Sequence, residues 1–456
     1  MFPQPFKIAK VIPLFKKESP LLVSNYRPIS LVPIFSKIFE KLMFNRITAF
    51  FDKYNIISPS QFGFQTNKST ELAVNEICTF VKDTFENKET GFCIFLDFAK
   101  AFDTVNHEIL LHKLEHYGIR GTALLWFRNY LKDRQQHTEI GNTLSDSHDI
   151  HCGVPQGSIL GPLLFLVYIN DIVHSSTLLK FCLFADDTTI YYSSKVDAET
   201  ESILNAELSK VYNWLCCNKL SLNMDKSSYL EFTNMKSDKV TLKMANRVID
   251  QKSVAKYLGV LIDEKLSWKP HIDNINLKIR RGIGMISKVR SFLLPTTIKT
   301  LYYSFIYPYL DYNILNWSSS SSPSIDCLRI SNEKAIRQLV VGGARQQECT
   351  SIFKELKILP LDSLIKFRRA SFMWKLNNNI LPHPSSSWFK INYQVSHDNQ
   401  PVKKFLLPQP RTVIASRHNT FTATKLWNTD IPYHLKQSPF FDTFKRNFKN
   451  YLLTQL

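Results

Sequence analysis

Two adjacent carboxylates, Asp186 and Asp187, lie inside an apolar run, LLKFCLFADDTTIYYS over residues 178–193. Apolar, β-prone stretches flank them, so they fall where a strand hairpin turns. Adjacent carboxylates between buried strands repel each other unless a cation neutralises them, and a hard divalent ion such as Mg²⁺ takes oxygen ligands. A third carboxylate, Asp97, ends another apolar strand in GFCIFLDFAKAFDTV, residues 91–105. Strand-end carboxylates that meet across a sheet form the donor set of two-metal phosphoryl transfer. An Asp-Asp pair alone more often marks an ordinary turn, so the weight comes from the segment between. Residues 153–172, GVPQGSILGPLLFLVYINDI, open on a Pro-Gln-Gly turn and continue as a long apolar helix. Pro155 and Gly157 punctuate the turn. A glycine there lets backbone approach a ligand closely, and Gln156 supplies a donor and an acceptor.

These groups need elements to hold them. The pattern predicts a strand over 91–97 and helices over 33–52, 107–117 and 121–133, with Gly118 and Gly121 between the last two. Leu204, Leu208, Val211 and Leu215 recur at helical spacing within 197–219, with Asp197 as a cap. Strands are expected at 228–233, 239–243 and 256–262. This alternation suits an α/β unit with a mixed sheet. From about residue 270 basic helices follow, carrying Lys278, Arg280, Arg281, Lys288, Arg290 and Lys299. The serine run at 318–324 reads as a plain linker.

The chain has 456 residues, 44% of them apolar, enough for two or three domains. Lys and Arg number 57 against 39 Asp and Glu, a net charge of +18 that favours a polyanionic partner. Phosphate neutralisation by such residues supplies most non-specific nucleic-acid affinity. Eight cysteines are scattered without zinc-ligand spacing, which points to a reducing, intracellular compartment. The longest apolar stretch, 158–173, is too short for a membrane span and carries Pro162 and Asp171. No signal peptide is expected from the opening residues.

In this order, LDFAKAFDTVNH, GVPQGSILGPLLFLVYINDI and FADDTTIYY resemble the reverse transcriptases of non-LTR (LINE-type, jockey-like) retrotransposons. NYRPISLVPIFSKIFEKLMFNR (25–46) resembles the family's fingers segment, and SPSQFGFQTNKST (58–70) its next block. LSLNMDKSSYLEF (220–232) resembles the palm motif that carries a lysine, and KYLGVLIDEKLSWKPHI (256–272) the primer grip. The resemblance implies an α+β right-hand polymerase fold. Fingers would span 1–90, a palm with a mixed or antiparallel sheet 91–269, thumb-like helices 270–375 and a basic extension 376–456.

The implied activity is RNA-directed DNA synthesis, with two Mg²⁺ ions, or Mn²⁺ in their place. Asp97 and Asp186 match the family's metal ligands, and Asp187 its weaker neighbour. Phe102 matches the steric gate that excludes a 2′-hydroxyl. The backbone of Phe98 and Ala99 is expected to face the triphosphate. Gln156 and Gly157 match the nucleotide- and template-contact loop, and Arg27 a fingers arginine that clamps phosphate with a forked guanidinium. Lys226 matches the lysine proposed as general acid for pyrophosphate. Asp103 receives no chemistry and reads equally well as a helix cap. The implied partners are an RNA template, a DNA primer or target DNA, and deoxynucleoside triphosphates, in the nucleus or cytoplasm.

Two departures stand out. Gly63-Phe64-Gln65 replaces the family's usual Gly-Phe-Arg, removing one positive contact. Residues 3–17 already look like an interior family segment, so the chain is expected to lack the endonuclease that precedes it in full-length elements. The alternative is a catalytically silent nucleic-acid-binding remnant of such an element. A group II intron maturase fits the KAFDTVNH and FLVYINDI strings less well.

Overall fold

The computed structural model describes residues 2–16, 19–195, 199–234, 240–340, 348–395 and 401–456. The first half of the chain alternates strands and helices. In order these are β1 (Ile8–Phe15), β2 (Tyr26–Leu31), α1 (Ile34–Tyr54), α2 (Thr70–Glu86), β3 (Thr90–Leu96), α3 (His107–His116) and α4 (Gly121–Leu131). Then come β4 (Arg134–Ile140), β5 (Thr143–Leu144), β6 (His148–Ile150), α5 (Leu160–Ile169), β7 (Lys180–Phe184), β8 (Asp187–Ser194) and α6 (Thr200–Cys217). The strands β9 (Ser228–Phe232), β10 (Lys243–Met244), β11 (Arg247–Val248), β12 (Asp250–Gln251), β13 (Val254–Tyr257) and β14 (Val260–Asp263) follow.

Two sheets frame the site. The central one has strand order β12-β9-β3-β8-β7, with β3 in the middle and antiparallel to both β8 and β9. Every residue of β3 except Phe95 is buried, as a middle strand covered on both faces requires. The other sheet joins the β1–β2 hairpin to β4 through a parallel pairing, Ile8 opposite Gln135, and extends to β5 and β6. Residues 134–150, inside the span expected for the palm, thus share a sheet with the first two strands.

The apolar helix α5 is buried along nearly its whole length, beneath the central sheet's core. A helix apolar all round has no solvent face to offer. Asn106 caps α3, its Oδ1 accepting from the Ile109 amide at 3.1 Å, so the cap expected of Asp103 falls to a different residue. The strand expected over 256–262 is instead the β13–β14 hairpin, which turns at Leu258–Gly259, both at positive φ. Of the strand expected at 239–243 only Lys243 is in a strand, β10 (Lys243–Met244), and residue 239 lies outside the described residues. The helix expected from Asp197 starts at Thr200, and Asp197 itself lies outside the described residues.

Beyond residue 268 the described chain is largely helical: α7 (Lys269–Val289), α8 (Pro295–Phe305), α9 (Tyr307–Asp311), α10 (Ile314–Trp317), α11 (Ser322–Arg337), α12 (Cys349–Leu356) and α13 (Leu361–Asn377). The serine run is no linker: it closes α10 and opens α11, with Ser321 at the N-cap position. Toward the C-terminus lie α14 (Val413–Arg417), α15 (Asn419–Thr429), α16 (Tyr433–Lys436) and α17 (Phe441–Thr454). Among the described residues no helix is long and apolar enough to cross a membrane.

Candidate active site

The Asp-Asp pair lies where the sequence places it. Phe184 pairs with Asp187, leaving Ala185 and Asp186 as a two-residue loop between β7 and β8. Ala185 takes φ 55°, a conformation costly for a residue with a Cβ. A neighbouring segment holds that loop. Gln61, 1% exposed, accepts from the Ala185 amide at 3.0 Å and from the Gly63 amide at 2.8 Å, both through Oε1. Phe62 donates to Leu183 O at 2.7 Å, and Leu183 donates to Ser60 O at 2.9 Å. A Cβ on Gly63 would stand 2.4 Å from the Ala185 nitrogen, so only glycine admits this approach. The 58–65 block therefore positions the acidic turn, a role that sequence reading missed because Gln61 and Ala185 are so far apart in the chain.

Asp97 reaches the same place along β3. Leu96 pairs with Thr188, so one step further Asp97 stands opposite Asp187. Its backbone is tied to the segment that carries Lys226. Asn223 donates to Asp97 O at 2.8 Å, and the Asp97 amide donates to Ser227 Oγ at 3.2 Å. Asp97, Asp187, Lys226, Thr188, Lys256 and Tyr257 line one cleft of about 90 Å³. Burial, then the charges of Asp186 and Asp97, push Asp187 up to about 6. Burial raises Asp186 as well and Asp97 adds to it, while its own amide, Arg27 and Lys16 pull it down. The exposed Arg27 sits on β2 opposite Leu14, so its charge reaches the acids from the neighbouring sheet.

The Pro-Gln-Gly turn is pinned from both sides. Val154 donates to Phe102 O at 2.8 Å and Gly153 to Val105 O at 2.7 Å. Ser30 of β2 donates to Gln156 O at 2.7 Å. The close backbone approach at Gly157 is to Ser30, whose oxygen would lie 2.4 Å from an added Cβ. The Gln156 side chain donates to Asp103 Oδ1 at 2.8 Å. Burial raises the Asp103 carboxyl, and the Gln156 bond and Lys100 oppose this. Asp103 thus fixes which way the Gln156 amide points. The two line a second cleft of about 440 Å³ with Ser30, Lys100 and Arg134.

Phe102 is half-buried and stacks on Phe165 of α5, with ring centroids 4.6 Å apart. Ala99 donates to Ser221 O at 2.8 Å, so its amide is already engaged. Phe98 bridges Leu222 with its ring in the core, and in that pairing its own amide points to the opposite side. Gln65 is half-buried, and among the described residues its Nε2 bonds only Phe64 O, at 3.4 Å.

Asp186 and Asp187, each raised by desolvation and by neighbouring carboxylate charge, stand with Asp97 as a set that fits a divalent cation, which relieves that repulsion. Among the described residues no three His, Cys, Asp or Glu side chains close on one point. Mg²⁺ commonly takes one or two carboxylates and completes its shell with water and substrate phosphate. An open set of acids is therefore the kind of site this ion uses.

A family model described as reverse transcriptase (RNA-dependent DNA polymerase) matches residues 15–262. The chain is 28% identical over 396 residues to the RNA-directed DNA polymerase from mobile element jockey of Drosophila melanogaster, covering 84% of this chain and 43% of that protein. It is 29% identical over 363 residues to the probable RNA-directed DNA polymerase from transposon BS of the same species, covering 74% and 39%. The chain thus spans less than half the length of these curated relatives. It is also similar to a telomerase from Candida tropicalis solved with a TWJ fragment of telomeric RNA, at 12% identity and a TM-score of 0.46, covering 99% of this chain and 65% of that one. The family match covers more than half of the chain and includes every acid of the cleft, and on it this chain belongs to the reverse transcriptase (RNA-dependent DNA polymerase) family.

Proposed function

We propose that this chain is the polymerase portion of a non-LTR retrotransposon protein and extends a DNA primer on an RNA template. The observation that carries the reading is the register that sets Asp97 opposite Asp187 beside the Ala185–Asp186 turn. Asp97, Asp186 and Asp187 would hold two Mg²⁺ ions, or Mn²⁺ in their place. Bound there, such ions lower the pKa of a primer hydroxyl and neutralise phosphate charge.

The chain's own residues supply the rest. The primer 3′-oxygen attacks the α-phosphorus of a deoxynucleoside triphosphate, the bond to pyrophosphate breaks, and the hydroxyl proton passes to water. Lys226 lines the same cleft as Asp97 and Asp187 and would hand a proton to the departing pyrophosphate. Arg27 binds triphosphate oxygens from the neighbouring sheet. The Phe98 amide, free of the Ser221–Asn223 pairing, is the better placed of the Phe98 and Ala99 amides to meet the triphosphate. Phe102, held by Phe165, lies under the sugar and excludes a 2′-hydroxyl. Gln156, steered by Asp103, and Gly157, seated on Ser30, orient the incoming nucleotide and the template.

In this reading residues 1–90 and 134–150 act as fingers, the rest of 91–269 as palm, 270–375 as thumb and 376–456 as an extension. The product would be made on target DNA in the nucleus or cytoplasm, and fractionation of tagged chain tests that placement.

The test is primer extension by the full chain on an RNA template with deoxynucleotides and Mg²⁺, beside Asp186→Ala. Extension that disappears in the variant is the expected result. No extension by the unaltered chain, with tight and salt-sensitive template binding kept, would instead support a silent binding protein.

A further inference from the structure

The chain sets a cation just ahead of α2, where the helix dipole opposes one. This is Lys68, which precedes the Ser69 cap and is half-buried. Its side chain turns back over the 58–65 block. Nζ donates to Pro59 O at 2.6 Å and to Gln61 O at 2.8 Å, and it lies 5.1 Å from the centre of the Phe62 ring. Both acceptors are neutral backbone oxygens. Burial lowers the ammonium to about 8, with Cys182 of β7 and Glu76 of α2 pulling the other way. Glu76 itself is engaged elsewhere, accepting from Tyr191 OH and Trp388 Nε1 at 2.8 Å each. A charge taken partly out of water needs partners, and the two oxygens that Lys68 holds belong to a single loop.

That loop is the one that meets the acidic turn. The two oxygens flank Ser60 O, which accepts from the Leu183 amide at 2.9 Å. Gln61 and Leu183 face each other as a parallel bridge, so the segment extends the edge of β7. One carbonyl thus pairs with β7 while its two neighbours pair with the ammonium. Gln61 carries the effect across. Its Oε1 accepts from the Ala185 amide at 3.0 Å, and its enclosed Nε2 has no partner among the described residues. The side chain is therefore aimed from the backbone that Lys68 grips. Charge-assisted bonds are about twice as strong as neutral ones, which suits a grip that must keep Ala185 at φ 55°.

We infer that Lys68 is a positioning residue for the acidic turn: its ammonium clamps residues 59–61 against β7, and Gln61 passes that restraint to Ala185 and so to Asp186. The clamp stands on these hydrogen bonds alone, and its effect on metal binding rests on the polymerase reading.

The test is hydrogen–deuterium exchange of the full chain without metal, comparing wild type with Lys68→Met and Lys68→Arg. Mn²⁺ binding by the same three proteins is followed by electron paramagnetic resonance. Methionine keeps an unbranched stem and loses the donors, whereas arginine keeps charge and donors. Expected in Lys68→Met is exchange about tenfold faster over 60–63 and 183–186, with β3 as protected as in wild type, as losing a charged hydrogen bond to one loop predicts. Mn²⁺ affinity should fall about tenfold, the lower end for residues that support metal ligands. Lys68→Arg should recover most of both losses. Exchange faster only over 60–63, with 183–186 and Mn²⁺ affinity unchanged, would confine Lys68 to its own loop and overturn the inference. Exchange faster throughout, β3 included, would make Lys68 a general stabiliser and overturn it as well. Mn²⁺ binding that Asp186→Ala leaves intact would bring down the metal site of the polymerase reading, and exchange over 183–186 would then decide the clamp by itself.

Discussion

The amide of Ile159 donates a 2.6 Å hydrogen bond to Glu40 Oε2, tying the head of α5 to a fully buried carboxylate on α1. Leu160 adds a longer bond to the same oxygen, at 3.4 Å. The other oxygen accepts from Ser36 Oγ at 3.1 Å and Tyr130 OH at 3.2 Å. A carboxylate at a helix N-terminus meets both free amides and the positive end of the dipole. Because α5 follows directly from the Pro-Gln-Gly turn, Glu40 fixes the direction in which that turn leaves the core.

Glu40→Ala should therefore be far more damaging than Glu40→Gln. The alanine strands the α5 amides and the Tyr130 hydroxyl, at about 1–3 kcal/mol for each unpaired group. The glutamine keeps one acceptor oxygen. Urea denaturation of the two variants measures the difference, and equal midpoints would contradict this role.

Gly157→Ala tests the seat of the turn on β2. With φ at 130° and Ser30 O only 2.4 Å from the new Cβ, the turn and β2 must move apart. Overpacking of this kind costs about 1–3 kcal/mol. Melting temperature should fall, and KM for deoxynucleotide should rise because Gln156 moves with the turn. A variant with unchanged KM would separate the turn from nucleotide binding.

Asp97→Asn should separate activity from stability. If Asp97 holds metal as proposed, removing its charge should lower extension by orders of magnitude. The same change removes a charge that raises both Asp186 and Asp187, so the protein without added metal should melt at a higher temperature. Extension assays and melts without metal check the two signs. A lower melting temperature would mean that Asp97 is structural.

Glu71 gives a pH dependence. It accepts from the Leu315 amide at 3.2 Å, linking α2 to α10. Burial, opposed by the Leu315 bond and Arg368, pushes it up to about 7. Unfolded, a glutamate titrates near about 4.3. Between those values the folded chain holds a proton that the unfolded chain has released, so stability falls as pH rises through that window. Glu71→Gln should flatten this part of a stability–pH curve. A slope unchanged in the variant would place the titration elsewhere.

The sequence made the acids, the Pro-Gln-Gly turn and the Lys226 segment readable because each lies in a short local pattern. Apolar runs on both sides of Asp186 specify a hairpin, and one register then brings Asp97 to Asp187. The supports were not readable in that way. Gln61 on the Ala185 turn, Glu40 on Ile159 and Asp103 on Gln156 act across pairings between distant segments, and periodicity carries no signal of a distant partner. Asp103 read as a helix cap for the same reason: its neighbourhood is polar and precedes a helix, and only the fold shows that Asn106 takes that place. The β13–β14 hairpin escaped notice because Leu258–Gly259 sits within a continuous apolar run.

The parallel pairing of β1 with β4 has a consequence for how the protein is made. A ribosome delivers β1 and β2 well before the strand that covers the inner edge of β1, which begins only at Arg134. Until then the hairpin presents an open edge with unpaired amides and carbonyls, beside exposed Leu14, Phe15 and Leu31. Closing so long a loop is slow compared with local helix formation. Released chains that end before residue 134 should therefore depend on chaperones more than released chains that end after residue 150, although the two differ by little in length.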